Sequence, residues 1–413
     1  MNPILSLMRR LPCAGETGTA PQARKAIRSL REAGIPRNLG PGNEPGESFR
    51  MNRRRFIATG AAGTAGAAVL ATPNLASAQP RIRWRCPGSF PKSLDTLWGT
   101  QEFITRRVSE MTDGAFQIQP FGPGELVPAL QVLDAVGNGN VECGYTSAYY
   151  YLGKDPSLAI ATCIPFGLSS RQHWAWLTHG GGRDLYAEVY RDQGVVGIPA
   201  GNTAAQMGGW FRKEIKSVED LKGLKFRIAG YGGNVLSKLG VVPQQIGGSD
   251  IYPALERGVI DGAEWVGPYD DEKLGFNRVA QYYYYPGWWE YSPSIDMMVN
   301  ARAYDELPAQ YKAVLNAACT EGWHWMAARY DVLNPAALRR LIASGTQLRG
   351  FPRDVLTACY RASQDLYSEI GAQNPRFKRI HEKWDAFRLE QTQWLRVAED
   401  SLGNFLAAAT AQR

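Results

Sequence analysis

The chain has 413 residues, of which 44% are hydrophobic and 21% charged. That composition excludes a disordered or fibrous protein and leaves room for about two domains. The formal net charge of +7 invites a nucleic-acid partner, but residues 1–78 hold 11 Lys and Arg against 4 Asp and Glu, and the rest of the chain holds 35 of each. With the basic surplus confined to one N-terminal segment, the compositional case for nucleic acid is gone.

That segment reads as an export signal. Arg53, Arg54, Phe56 and Ile57 form a twin-arginine pattern, 58–70 is a short run of small apolar residues, and Ala76-Ser77-Ala78 is an A-x-A cleavage site. The apolar run is too short and too rich in Gly and Ala for a permanent membrane span. Residues 1–50 fit no signal, so they are expected to be a disordered lead or to precede the true start at Met51. The mature protein is expected to begin at Gln79, after cleavage behind Ala78, and to work in the periplasm.

Along the mature chain, 81–86 reads as a strand, 94–111 as a helix, 116–119 as a strand, 127–136 as a helix and 141–145 as a strand. This alternation predicts an α/β fold with largely parallel strands. A buried strand follows over 195–199, and the Gly-rich stretch 201–211 suits a crossing between lobes. A helix–turn–strand unit covers 218–228, a short helix 252–258 and a strand 261–265. Beyond Pro308 the pattern is helical almost to the end, with Asn334-Pro335 and Asn374-Pro375 as expected breaks. Cys86, Cys143, Cys163, Cys319 and Cys359 are scattered, a pattern of buried small apolar residues more than of a disulfide framework.

The four histidines, His173, His179, His324 and His381, form no H-E-x-x-H, and no G-x-S-x-G is present. Gly230-Tyr231-Gly232-Gly233 lacks the third glycine of a dinucleotide loop. No catalytic constellation emerges, which points to binding. Acids and aromatics cluster instead, from Glu264-Trp265 through Asp270-Asp271-Glu272 and 282–285 to Trp288-Trp289-Glu290. The 270–272 acids read as a solvated turn and the rings as packing. Glu264 and Glu290 differ, because an ionised carboxylate in an apolar stretch needs a partner or a cation. Arg227 sits inside a strand, where its planar fork could take a carboxylate in two-point fashion or reach solvent from an edge.

Several stretches together resemble one family. They include 90–96, Gly124-Glu125-Leu126-Val127-Pro128, Tyr149-Tyr150-Tyr151, Gln206-Met207-Gly208-Gly209-Trp210-Phe211, 221–227, Val242-Pro243-Gln244-Gln245, Glu264-Trp265-Val266-Gly267-Pro268 and Pro286-Gly287-Trp288-Trp289-Glu290. The chain is similar from residue 81 onward to the extracytoplasmic solute-binding subunits of TRAP (tripartite ATP-independent periplasmic) transporters, of the DctP type, in the branch that binds 2-oxo acids such as pyruvate.

The resemblance implies a two-lobed α/β periplasmic binding fold, closing by a hinge on a small carboxylate and delivering it to a membrane permease. Lobe I is expected over 79–201 and 293–332, lobe II over 202–292, and C-terminal helices over 333–413, exchanged between the subunits of a homodimer. By the resemblance Arg227 clamps the substrate carboxylate, Gln206, Glu264, Trp265 (through its carbonyl) and Glu290 hold a cation that touches the substrate, and Asn202 and Tyr150 line the cleft. Hard oxygen ligands suit Na⁺, or alternatively Ca²⁺. Two glutamates, one arginine and a monocarboxylate leave two negative charges, which sodium halves and calcium cancels. The alternative is a twin-arginine-exported periplasmic enzyme acting on a small carboxylic acid.

Overall fold

The computed structural model describes residues 80–410; the expected lead 1–50 and export signal 51–78 lie outside them. Among the described residues, eleven strands fall into two groups. Parallel strands β1 (Ile82–Pro87) and β2 (Phe116–Phe121) join through a Gly88–Tyr145 bridge to a sheet ordered β3 (Cys143–Thr146), β10 (Ser294–Asn300), β4 (Val195–Asn202). The second sheet has the order β11 (Gln347–Gly350), β9 (Tyr282–Tyr285), β5 (Trp210–Phe211), β8 (Gly262–Ala263), β6 (Lys225–Arg227), β7 (Val242–Gln244). Each sheet is covered by helices, giving two α/β lobes.

The expectation of largely parallel strands holds for β1 with β2, β6 with β7 and β8, and β9 with β11, and fails elsewhere. Strand β10 is antiparallel to both neighbours, and β5 is antiparallel to β8 and β9. These strands enter their sheets from the other lobe, so they run against strands that return through local helices. The crossing expected over 201–211 lies between the end of β4 and the start of β5, and a second runs from β9 back to β10.

Pro335 does not break the chain: one helix runs from Ala309 to Ala343. Tyr330, Ala337 and Leu341 are buried on either side of the proline, and tertiary packing of that kind outweighs one lost helical hydrogen bond. Asn374-Pro375 does mark a boundary, because the Asn374 side chain caps the backbone N–H of Phe377 at 2.9 Å and Pro375 opens the next helix. Beyond residue 333 the chain also contributes β11 at the edge of the second sheet, alongside β9. All five cysteines among the described residues are buried and free.

Candidate ligand-binding site

Strands β6 and β8 are parallel neighbours, with Arg227 registered on Ala263. Their C-terminal ends therefore place Arg227 and Glu264 side by side, at the sheet edge where open α/β folds gather ligands. Both are buried, Arg227 at 1% and Glu264 at 0% exposure. The Glu264 backbone N–H donates to the Arg227 carbonyl at 3.1 Å. Arg227 Nη1 donates to the Glu264 carbonyl at 2.8 Å and to Glu264 Oε1, and Nε donates to the Ile246 carbonyl at 3.1 Å. The guanidinium also lies over the Trp265 ring, 5.0 Å from its centre.

The two crossings run side by side and complete the site. Met207 N–H donates to Val266 O at 2.9 Å, Gly208 N–H to Tyr284 O at 2.7 Å and Gly287 N–H to Gln206 O at 3.2 Å. A Cβ on Gly287 would meet the Gln206 carbonyl at 2.6 Å, so this approach requires glycine. The pairing fixes Gln206, whose amide Nε2 donates to Thr203 Oγ1 at 3.0 Å, and leads into Glu290, which is buried and accepts from the Tyr149 hydroxyl at 3.2 Å.

A small pocket, with free volume of about 10 Å³, lies between the lobes, with Ser147, Tyr149, Tyr150, Gln206, Arg227 and Trp265 among its walls. Glu264 and Glu290 stand just behind these walls, held against Arg227 and Tyr149. Three buried acceptor oxygens at this centre have no hydrogen-bond donor: Gln206 Oε1, Glu264 Oε2 and Glu290 Oε1. Burial pushes the Glu264 carboxyl up to about 7 against the opposing pull of Arg227. Glu290 is pushed well above the ordinary range, first by burial and then by the charge of Glu264. Two buried acids with idle oxygens, served by the single charge of Arg227, form a centre short of positive charge. The donor set fits a hard cation: it is all oxygen, with no thiolate or imidazole.

The structure thus brings Arg227, Gln206, Glu264, Trp265, Glu290 and Tyr150 to one place. Asn202 lies behind the pocket: its Oδ1 accepts from Ala204 N–H at 2.9 Å and Ser292 Oγ at 2.8 Å, tying the two crossings together. Ser147, whose buried hydroxyl has no partner, and Tyr149 are pocket residues that local reading did not single out. Their only sequence signal is the polar–aromatic turn directly after β3.

The solvated turn expected over 270–272 is corrected. Asp270 and Asp271 are buried, Asp270 accepting from Thr96 Oγ1 and the Tyr330 hydroxyl at 2.6 Å each, Asp271 from Trp210 Nε1 at 2.9 Å and the Tyr283 hydroxyl at 2.7 Å. Of the three acids, Glu272 alone faces outward, where it pairs with Arg340. Side-chain donors from distant elements make the difference, and local sequence does not display them.

Two lobes joined by paired crossings, with a buried polar pocket between them, define a solute-binding protein. Residues 88–374 match the model of the bacterial extracellular solute-binding proteins, family 7 (DctP). The chain belongs to that family, the solute-binding subunits of TRAP transporters, and its working place is the periplasm. It is 50% identical over 364 residues to a monocarboxylate 2-oxoacid-binding periplasmic protein of Nostoc sp., covering 87% of this chain and all of that one. A TRAP transporter solute-binding protein from Bordetella bronchiseptica, a mixed-occupancy dimer with a calcium- and picolinate-bound active site and an apo site, superposes with a TM-score of 0.80 at 52% identity, over 81% of this chain and 99% of that one. A Pseudoalteromonas atlantica protein with bound sodium and pyruvate gives 0.76 at 35% identity, over 78% and 99%.

Proposed function

We propose that the protein captures a short 2-oxo or 2-hydroxy monocarboxylate together with a sodium or calcium ion, closes its lobes over them and passes the acid to its permease. The observation that carries this reading is the trio of unpartnered oxygens, Gln206 Oε1, Glu264 Oε2 and Glu290 Oε1, beside Arg227. These three groups and the Trp265 carbonyl would hold the cation, whose chemistry is to offset the charge of two glutamates so that a carboxylate can approach them. Arg227 spends Nε and Nη1 on protein carbonyls and Glu264, and the rest of its fork takes the ligand carboxylate.

Ligand chemistry supports the same reading. Pyruvate and picolinate, found with the cation-bearing relatives, share a second donor atom one carbon from the carboxylate. Each can close a five-membered chelate on a metal, which selects 2-substituted acids over simple ones. Hinge closure then follows from ligand contacts with both lobes, the lobes being 79–201 with 293–332 and 202–292. No bond is made or broken.

The export route is the twin-arginine pathway, with cleavage after Ala78. The chain forms a homodimer by exchanging its C-terminal helices, drawn from 333–413. Helix Ser401–Thr410 buries none of its residues, and Trp394, Leu402 and Phe405 are 59%, 57% and 66% exposed, an apolar face that calls for cover.

Thermal melting with pyruvate, lactate and picolinate, in sodium, in calcium and after chelation, tests the site. A ligand at 100 times its dissociation constant adds about 2.7 kcal/mol. Loss of the gain on chelation identifies calcium, and loss on replacing sodium identifies sodium. No shift under any condition, or conversion of the acid to a product, overturns the binding reading.

A further inference from the structure

The second lobe also meets the first along a seam beside the pocket. On the first lobe the seam is the turn after β3, from Tyr149 to Pro156. On the second it is the start of the helix Gly230–Lys238 and the residue after β7. Tyr231 donates its hydroxyl to the Pro156 carbonyl at 2.6 Å. Gln245 Nε2 donates to the Tyr150 carbonyl at 3.0 Å. Between them Gly230, at φ +60°, packs so close that a Cβ would lie 2.5 Å from the Tyr149 ring.

Both acceptors are main-chain carbonyls, so the two bonds depend on how the lobes are placed and not on a partner's rotamer. Tyr150 itself lines the ligand pocket, which puts the Gln245 bond at the pocket's rim. If the lobes part, Gln245 and the Tyr150 carbonyl are free to be solvated. The Tyr231 hydroxyl, on a side chain 2% exposed, loses its partner, the carbonyl of the half-buried Pro156. Contacts of this kind favour the closed state without adding affinity in the open one.

We propose that Gln245 and Tyr231 form a latch across the lobes: they are positioning residues that set how long the closed protein holds its ligand, without touching it. This rests on the capture-by-closure reading given under Proposed function. The Gly230-Tyr231-Gly232-Gly233 run, which suits no nucleotide, then has a role, since Gly230 admits the Tyr149 ring and Tyr231 supplies the hydroxyl.

The test is stopped-flow binding and melting of Gln245→Ala, Tyr231→Phe and the double variant, with pyruvate and the cation identified above. Each single change is expected to raise the dissociation rate about five-fold, the worth of one net hydrogen bond. The association rate and the melting point of ligand-free protein should stay at wild-type values. An unchanged dissociation rate overturns the latch. So does a drop in the ligand-free melting point equal to that of the loaded protein, which marks a merely structural contact. If the wild-type chain takes up no carboxylate, the capture reading has failed. The latch, which acts only in the ligand-closed state, then falls with it, whereas pyruvate binding with an unchanged dissociation rate overturns the latch alone.

Discussion

Arg227 and Glu264 form a fully buried ion pair built by strand register: β6 and β8 run in parallel, and the two side chains follow one another at the same sheet edge. The pair leaves Glu264 Oε2 without a donor. A buried pair is weak evidence for stability in its own right, but breaking one member is costly. Under the proposed function Arg227 has two duties, one toward the ligand and one toward Glu264.

That double duty separates in variants. Arg227→Met should abolish pyruvate binding and lower stability by about 3–5 kcal/mol, because a buried carboxylate is stranded. Adding Glu264→Gln should recover much of the stability and none of the binding. Melting curves and titration calorimetry on the single and double variants check this, and recovered binding in the double variant would refute the clamp.

Glu290→Gln retains an acceptor for the Tyr149 hydroxyl and removes one negative charge. Cation affinity is expected to fall roughly ten-fold or more, since ligand charge count sets the affinity of such sites. Carboxylate affinity should fall with it. Tyr149→Phe should have a smaller effect. Equal losses for the two variants in a cation titration would place the charge of Glu290 outside the site.

Asp296 is buried on β10, accepts from the Tyr190 hydroxyl at 2.7 Å, and is pushed up to about 7 chiefly by burial. Its folded-state value lies above the unfolded one. Its contribution to stability is therefore full below about pH 4 and is lost as pH rises through 7, the folded chain binding more protons in between. Relative to Asp296→Asn, the wild type should lose roughly 1 kcal/mol per pH unit across that window. Denaturant unfolding at pH 5 and pH 7.5 reads the difference, and a wild type that gains on the variant with rising pH contradicts the assignment.

Removing the chain from Glu390 onward deletes Trp394, Leu402 and Phe405, the bare apolar residues of the final helices. The truncated protein should elute as a monomer on a sizing column and keep carboxylate binding, since among the described residues the pocket lining ends at Ile295. A persistent dimer would rule out helix exchange.

Sequence alone determined the α/β class, because strand and helix periodicities alternate and each is a local property. It also carried the family resemblance and, through it, the residues Arg227, Gln206, Glu264, Trp265 and Glu290. Charged or polar groups inside apolar stretches are costly, and that cost made Arg227, Glu264 and Glu290 visible locally. Tertiary structure decided what local pattern could not. It set the antiparallel directions of β5 and β10, which depend on chain crossings between lobes. It carried the helix through Pro335, where packing outweighs propensity. It buried Asp270 and Asp271 against Thr96, Tyr330, Trp210 and Tyr283. It committed Asn202 to the crossings and brought Tyr149, Gly230 and Gln245 to one seam, because contacts between distant segments have no sequence period.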